Sequence, residues 1–355
     1  MAKQAFSLLA LMAILMFTRP LKASEISLQH HGVILQYHHV STETPASTSV
    51  SPAQFAEHMQ YLAEHHNVIS LQDMLYKLAR HQALPDKAVA ITFDDGYANI
   101  LHNAHPILQQ HGFNYTVFIN PALIGKESQQ LSWEQVRQMK TDGVWFANHS
   151  NHHQHLLTRG DMTKDQWLAS LREEILSAES KLQEELGYSL KYLAYPFGEY
   201  NSDLQALVKE LGFIGLGQQS GAVAPYSDMT ALPRFPAAGT YANLNTLKVK
   251  LNSLAMPSLY APLDPELRPD NLQPQWTTKI DTSDIRPAQL ACYFKGDKLD
   301  VIWEMEDVFA LSLPAPLGPG RARVNCTAPS KQDRSRYYWL SQPFFVPTND
   351  GLWLD

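Results

Sequence analysis

Two adjacent carboxylates, Asp94 and Asp95, follow the apolar run Ala88 to Phe93 and precede Gly96. A near-continuous apolar run of that length reads as a strand buried on both faces of a parallel sheet. In parallel α/β proteins the active site lies at the C-terminal ends of the strands. Successive strand residues point opposite ways, which gives the two Asp different jobs: one binds a metal, the other faces substrate as a base. A helix N-cap followed by a turn Asp would also be written Asp-Asp-Gly. The second cluster is Asn148 to Leu156, after the apolar run Val144 to Ala147. His149 and His153 are four apart, so on a turn of helix both imidazoles would face one side and chelate one ion. Ser150 can hold that turn through a local hydrogen bond, while His152 and His155 read as supporting or packing residues. Two His and one Asp, each at a strand end, make the three-ligand open site that hydrolytic metals use. A third segment, Tyr195-Pro196-Phe197-Gly198-Glu199-Tyr200, reads as a fixed turn beside the site, or as an ordinary strand-to-helix turn. A backbone N–H there could stabilise an oxyanion, and one such donor is worth roughly 3 kcal/mol of barrier.

The elements that must position these groups alternate in type. Val33 to Tyr37, Ala88 to Phe93, Tyr115 to Ile119, Val144 to Ala147, Tyr192 to Tyr195 and Phe213 to Leu216 read as strands. Pro52 opens a helix carrying Phe55, Met59 and Leu62. A longer helix is predicted over Thr163 to Leu186, with a capping box from Thr163 and Gln166 and an apolar stripe through Trp167, Leu171, Ile175, Ala178, Leu182 and Leu186. Gly187 closes it as a C-cap. This pattern defines an α/β fold, an irregular (β/α) barrel of parallel strands over residues 24–256.

Residues 257–275 are dense in proline and read as a linker or wrapping segment. From 276 to 355, short strands at Leu290 to Phe294, Leu299 to Met305, Arg323 to Cys326 and Tyr337 to Leu340 fit a small β-sandwich-like domain. Its aromatics Trp303, Tyr337, Tyr338 and Trp339 fit core positions better than sugar platforms. Cys292 and Cys326 lie in this region; in an oxidising compartment they can pair, stabilising by roughly 3–4 kcal/mol, and otherwise they are buried thiols.

Composition narrows the class. Hydrophobic residues at 45% and charged residues at 18% supply an ordinary globular core. A net charge of −7 opposes nucleic-acid binding, which relies on Lys and Arg neutralising phosphates. Lys3 followed by the apolar run Ala5 to Phe17 reads as a signal peptide over residues 1–23, too short to span a bilayer, with an uncleaved anchor as the alternative. No later segment could span a membrane, so the mature protein is expected to be periplasmic or secreted.

Thr92 to Tyr97, His149 to His153 with Leu156, and Tyr195 to Gly198 together resemble the NodB-homology polysaccharide deacetylases, carbohydrate esterase family four. The resemblance covers roughly Val33 to Pro236. Tyr37-His38-His39-Val40 and Leu232-Pro233-Arg234 make it similar to one branch, the exported poly-N-acetylglucosamine deacetylases. The resemblance implies that Asp94 is the general base and that Asp95, His149 and His153 ligate a divalent metal, with zinc the first expectation and nickel or cobalt suited to the same donors. It gives Phe197 the oxyanion N–H and His38 the general-acid role, because no His follows His155 to form the family's late Leu-x-His motif. Tyr97, Tyr195, Pro196 and Tyr200 would line the substrate cleft, and His39 would face away from it. The family's usual arginine before the Pro-aromatic-Gly turn corresponds here to Ala194, and Arg234 is the candidate replacement as partner of Asp94. The implied reaction hydrolyses N-acetyl groups on an amino-sugar polymer. An O-acetyl esterase acting on xylan or another glycan, and a carbohydrate-binding protein with a relict site, are the alternatives.

Overall fold

The computed structural model describes residues 30–354, so the expected signal peptide lies outside the described residues. An eight-stranded sheet dominates the N-terminal part, and every pairing within it is parallel. Its strands run in the spatial order Phe235–Pro236, Gly32–Tyr37, Ala88–Phe93, Tyr115–Ile119, Trp145–Asn148, Tyr192–Ala194 and Ile214–Leu216, with Asn67–Val68 also paired to Ala88–Phe93. Gly32–Tyr37, Ala88–Phe93 and Tyr115–Ile119 are buried at every position, as expected for strands covered on both faces. The helices pack around this curled sheet, which is the barrel architecture expected from the alternation.

The segment from Leu232 to Pro236 closes the curl. Leu232 bridges in parallel to Leu216 on one edge strand, and Phe235 pairs with Leu35 on the other side. Arg234 lies between these two pairings, fully buried. The Leu-Pro-Arg motif is therefore the seam of the barrel, and its arginine points at the ends of strands far from it in sequence.

Local signals fold as their chemistry dictates. The helix Lys164–Leu186 has Thr163 as N-cap, with both halves of the capping box formed by Gln166, and Gly187 as a left-handed C-cap. Pro52–His65 has a matching capping box between Ser51 and Gln54, with Pro at the first helical position.

Beyond Ser253 the chain forms two further sheets. Leu254–Ala255, Tyr337–Val346, Gly320–Pro329, Ala291–Phe294 and Asp297–Leu299 make a five-stranded sheet; Gln275–Lys279, Val308–Ser312 and Ile302–Trp303 make a three-stranded one. Trp276, Phe309 and Leu311 from the smaller sheet share one buried core with Val324, Tyr338 and Phe344 from the larger. Cys292 and Cys326 face each other on neighbouring antiparallel strands and are disulfide-bonded. The apolar stretch expected as one strand, Leu299 to Met305, is divided: Asp297–Leu299 belongs to the larger sheet and Ile302–Trp303 to the smaller, so the chain crosses between sheets at Asp300 and Val301. The proline-rich stretch lies against its neighbours. Glu266 accepts from Arg159 at 2.5 Å and Asn201 at 2.6 Å, while the Leu267 amide donates to the Phe345 carbonyl.

Candidate metal centre and catalytic cleft

Asp95 lies just past the Ala88–Phe93 strand with φ 72°, a left-handed conformation that is uncommon for a residue with a side chain. Gly96 follows at φ 73°, where an added Cβ would sit 2.7 Å from the Ile119 side chain. This turn breaks the strict alternation of the strand. Asp95 therefore reaches the same cleft as Gln36 and His38, the residues that stand against buried Asp94.

The two imidazoles also meet by a different route from the expected helical turn. His149 to His153 is a loop in which Ser150 (φ 64°) and His153 (φ 56°) are both left-handed. The Ser150 hydroxyl accepts from the His153 amide at 3.1 Å, and the Asn148 side-chain oxygen accepts from the Ser150 amide at 2.8 Å. From below, the Asn120 side chain donates to the carbonyls of His149 and Ser150. On the outer side His152 pairs with Glu174 at 2.9 Å.

The result is a compact donor set. Asp95 Oδ1 lies 3.2 Å from His149 Nε2 and 3.1 Å from His153 Nε2, and all three donor atoms fall within 4.8 Å of one another. The His149 Nδ1–H donates to the Ala194 carbonyl at 2.7 Å, which fixes the tautomer that leaves Nε2 as a ligand. Buried Asp95 Oδ1 and His149 Nε2 make no hydrogen bond of acceptable geometry despite their approach. Such orphaned polar atoms are costly unless something else satisfies them. Donors bound at 2.0–2.2 Å around one tetrahedral ion would lie roughly 3.4 Å apart, so the donor set suits a divalent cation. Charge agrees. Burial works against a cationic His149, yet Asp94 and Asp95 raise its pKa, so the position favours positive charge. Burial pushes Asp95 up, but the two imidazoles beside it hold it well below the ordinary carboxylate range.

Beside this triad Asp94 is caged. Arg234 donates to its two oxygens at 2.7 and 2.8 Å, and Gln36 donates to Oδ2 at 2.7 Å. His38 Nε2 lies 4.0 Å from the same oxygen. Gln36 and His38 alternate along one chain segment, so they share a face; His39 turns the other way, stacked on Tyr97 with ring centroids 3.7 Å apart. Burial pushes Asp94 up, and the Arg234 guanidinium together with the His149 and His38 imidazoles outweighs this, leaving it below the usual carboxylate value. Arg234 is itself anchored, donating from Nε to the Gly217 carbonyl at 2.9 Å.

Phe197 sits at φ 58° in the turn after Ala194, and its ring packs on His153 and His155 with centroids 4.7 and 3.8 Å away. Gly198 is required there, since a Cβ would meet the Gln218 side chain at 2.6 Å. Under the turn, buried Glu199 accepts from His155 at 2.8 Å and from Arg321 of the C-terminal sheet at 3.0 Å.

Gln36, His38, Asp95, Tyr97, His153 and Phe197 all line one cleft of about 370 Å³. The expected substrate-contacting roles of Tyr195, Pro196 and Tyr200 need correction. All three are buried; Tyr195 and Tyr200 stack on each other at 5.2 Å, and the Tyr195 hydroxyl donates to the Thr230 carbonyl. Their apolar rings belong to the core behind the turn. Gln36 was not among the expected site residues. A lone amide inside the apolar run Val33 to Tyr37, two positions before His38, was the available signal.

Comparison with known proteins bears on the fold and the family. Residues 81–215 match the family model for polysaccharide deacetylase. The chain is 28% identical over 206 residues to the poly-beta-1,6-N-acetyl-D-glucosamine N-deacetylase of Staphylococcus aureus (strain MRSA252), covering 56% of this chain and 71% of that protein. Two solved structures share the fold: the Streptococcus pyogenes deacetylase PplD in complex with acetate (TM-score 0.55, 22% identity, 62% of this chain and 98% of that one) and IcaB from Ammonifex degensii (TM-score 0.55, 21% identity, 62% and 97%). The chain carries a polysaccharide deacetylase domain of the NodB-homology type.

Proposed function

We propose that this protein is a metal-dependent N-deacetylase of an N-acetylglucosamine-type polymer. The observation that carries the reading is the clamped, ionised Asp94 standing next to the Asp95–His149–His153 donor set. A divalent ion held by those three residues would supply Lewis-acid polarisation and bring the pKa of water from 15.7 toward about 7. Zinc fits the mixed His and Asp donors, and nickel or cobalt would suit them too.

The chain's own groups then divide the work. Asp94 is kept charged by Arg234 and oriented by Gln36, so it receives the proton of the attacking water. His38, on the cleft 4.0 Å from Asp94, gives a proton to the departing amine nitrogen. The Phe197 N–H steadies the oxygen that gains charge at the acetyl carbon. General acid and general base steps each contribute about 10²–10⁴-fold. Acetate and a free glucosamine amine are the products. The name of the staphylococcal relative supports the amino-sugar assignment. A periplasmic or secreted location is supported by the signal-like pattern at residues 1–23 and by the Cys292–Cys326 disulfide. Among the described residues no helix is long and apolar enough to cross a membrane.

Acetate release from N-acetylglucosamine oligomers and from acetylated xylan, measured on wild type and Asp94→Asn, tests this reading. Release from the oligomers that Asp94→Asn abolishes is expected. Release from xylan alone, or release unchanged in the variant, would overturn it.

A further inference from the structure

The catalytic cleft does not end at the metal centre. It opens into a groove of about 910 Å³ floored by the C-terminal five-stranded sheet, and Phe197, Gln218, Tyr241, Arg321 and Arg323 belong to both. The groove presents aromatic rings to solvent: Tyr241, Tyr293 and Tyr337 are each about two-fifths exposed, and Trp339 lies partly exposed among them. The Tyr338 side chain, by contrast, is fully buried in the core. Exposed rings along a wall continuous with a reactive site offer flat apolar faces with polar edges, the surface that a sugar ring's CH face matches.

Its charge is the second observation. The chain carries a net −7, yet the groove is lined by Lys295, Arg321 and Arg323 and by no carboxylate; Arg321 is paired with Glu199 beneath the wall, which leaves Lys295 and Arg323 as its unbalanced cations. Arg323 directs its hydrogen bonds to neutral oxygens, the Gln218 carbonyl and the Tyr241 hydroxyl, both at 3.2 Å. Behind the Tyr241 ring, 4.5 Å from its centre, stands Lys250, whose pKa is drawn down to about 8 by burial and then by the charge of Arg323. Positive potential is thus concentrated on one wall of an acidic protein.

We propose that this groove holds the uncharged N-acetylated sugar units adjoining the reacting one, and that Arg323 and Lys295 repel units whose amines have been unmasked. The inference rests on the deacetylase reading above and adds a rule for substrate choice. Two cations about 8 Å from an ammonium amount to a penalty of about sixfold or more at effective dielectric constants of 20–80. Product would therefore accumulate as spaced rather than contiguous free amines.

The test is binding to the full chain carrying Asp94→Asn, read by Trp339 fluorescence and calorimetry. N-acetylglucosamine hexamer is compared with glucosamine hexamer at a pH where its amines are protonated. The acetylated hexamer should bind at least about sixfold more tightly. Lys295→Gln alone, and with Arg323→Gln, should narrow that ratio stepwise, as should salt, because screening shortens the reach of exposed charges to about 3 Å at 1 M. Tyr293→Ala and Tyr337→Ala should weaken the acetylated hexamer more than the dimer. Equal or tighter binding of the amine hexamer, or a preference untouched by both cation variants, would overturn the proposal. Failure of wild type to release acetate from the hexamer would instead remove the deacetylase reading, and the binding ratio would still decide whether the groove discriminates charge.

Discussion

The guanidinium of Arg234 grips the Asp94 carboxylate with both terminal nitrogens, at 2.7 and 2.8 Å, and both side chains are fully buried. They are 140 positions apart in the chain and meet because Leu232 to Pro236 forms the seam of the barrel. The planar fork fits a carboxylate in a way that an ammonium cannot. The pair therefore does two things, lowering the Asp94 pKa and fixing the orientation of its oxygens.

Arg234→Lys and Arg234→Gln should each lower kcat by about 10²-fold, the cost of misplacing a reacting group by about 1 Å. The pH profile separates positioning from simple loss of structure. Asp94 acts as a base only when ionised, so activity is lost as pH falls through its pKa. Removing the guanidinium takes away the strongest influence opposing burial, raises that pKa and moves the acidic limb upward, more in Gln than in Lys. An acidic limb that stays in place would contradict the assignment. Breaking a buried pair also costs about 3–5 kcal/mol, so denaturant unfolding should show a clear loss.

Glu199→Gln should loosen the Phe197 turn, because Glu199 receives both His155 and Arg321 beneath it. A loss of about 1–3 kcal/mol in stability is expected from unpairing a buried charged acceptor. The fall in kcat should exceed any change in metal content, which elemental analysis would check.

The sheet was legible because its strands are written as short apolar runs and its long helix carries its own caps at Thr163 and Gly187. The donor residues were legible by type and order, but not by local geometry. His149 and His153 suggested a helical turn, whereas left-handed Ser150 and His153 bring them together in a loop, and nothing in residue type announces positive φ at a His. Tyr195 and Tyr200 read as cleft residues because they flank the Pro-Phe-Gly turn. Their burial depends on Phe345 packing against Tyr200 from the C-terminal sheet, a contact that spans 145 positions. Gln36 was hidden by its apolar neighbours. The strands Gln275–Lys279 and Val308–Ser312 were missed because they pair only with each other and with Ile302–Trp303, at the margin of a small sheet.

His31 should make the fold acid-sensitive. It is buried between Tyr226 and Tyr338 and accepts from the Ala255 amide at 3.0 Å; burial, followed by the charges of Arg336 and His30, lowers its pKa to about 3. Between about pH 6.5 and pH 3 the unfolded chain holds a proton that the folded chain refuses. Stability therefore falls as pH drops through that window, by up to roughly 1.4 kcal/mol per pH unit from this one group. His31→Asn should flatten the difference between denaturation midpoints at pH 7 and pH 4.5. A slope unchanged by the substitution would rule out this origin.

The Cys292–Cys326 disulfide closes a loop with a sequence separation of 34. On the chain-entropy model the double variant Cys292→Ser/Cys326→Ser should lose about 3–4 kcal/mol of stability. Metal content should be unaffected, since the bridge lies in the C-terminal core rather than in the cleft. Chemical denaturation with and without reductant measures the first quantity.

The most direct measurement is anomalous diffraction at the metal absorption edge from crystals of protein purified without chelator, with acetate release followed on the same preparation. The account predicts one peak about 2.0–2.2 Å from Asp95 Oδ1, His149 Nε2 and His153 Nε2, and activity that vanishes on chelation and returns with zinc, cobalt or nickel. Full acetate release from a preparation with no peak among those three atoms would contradict it.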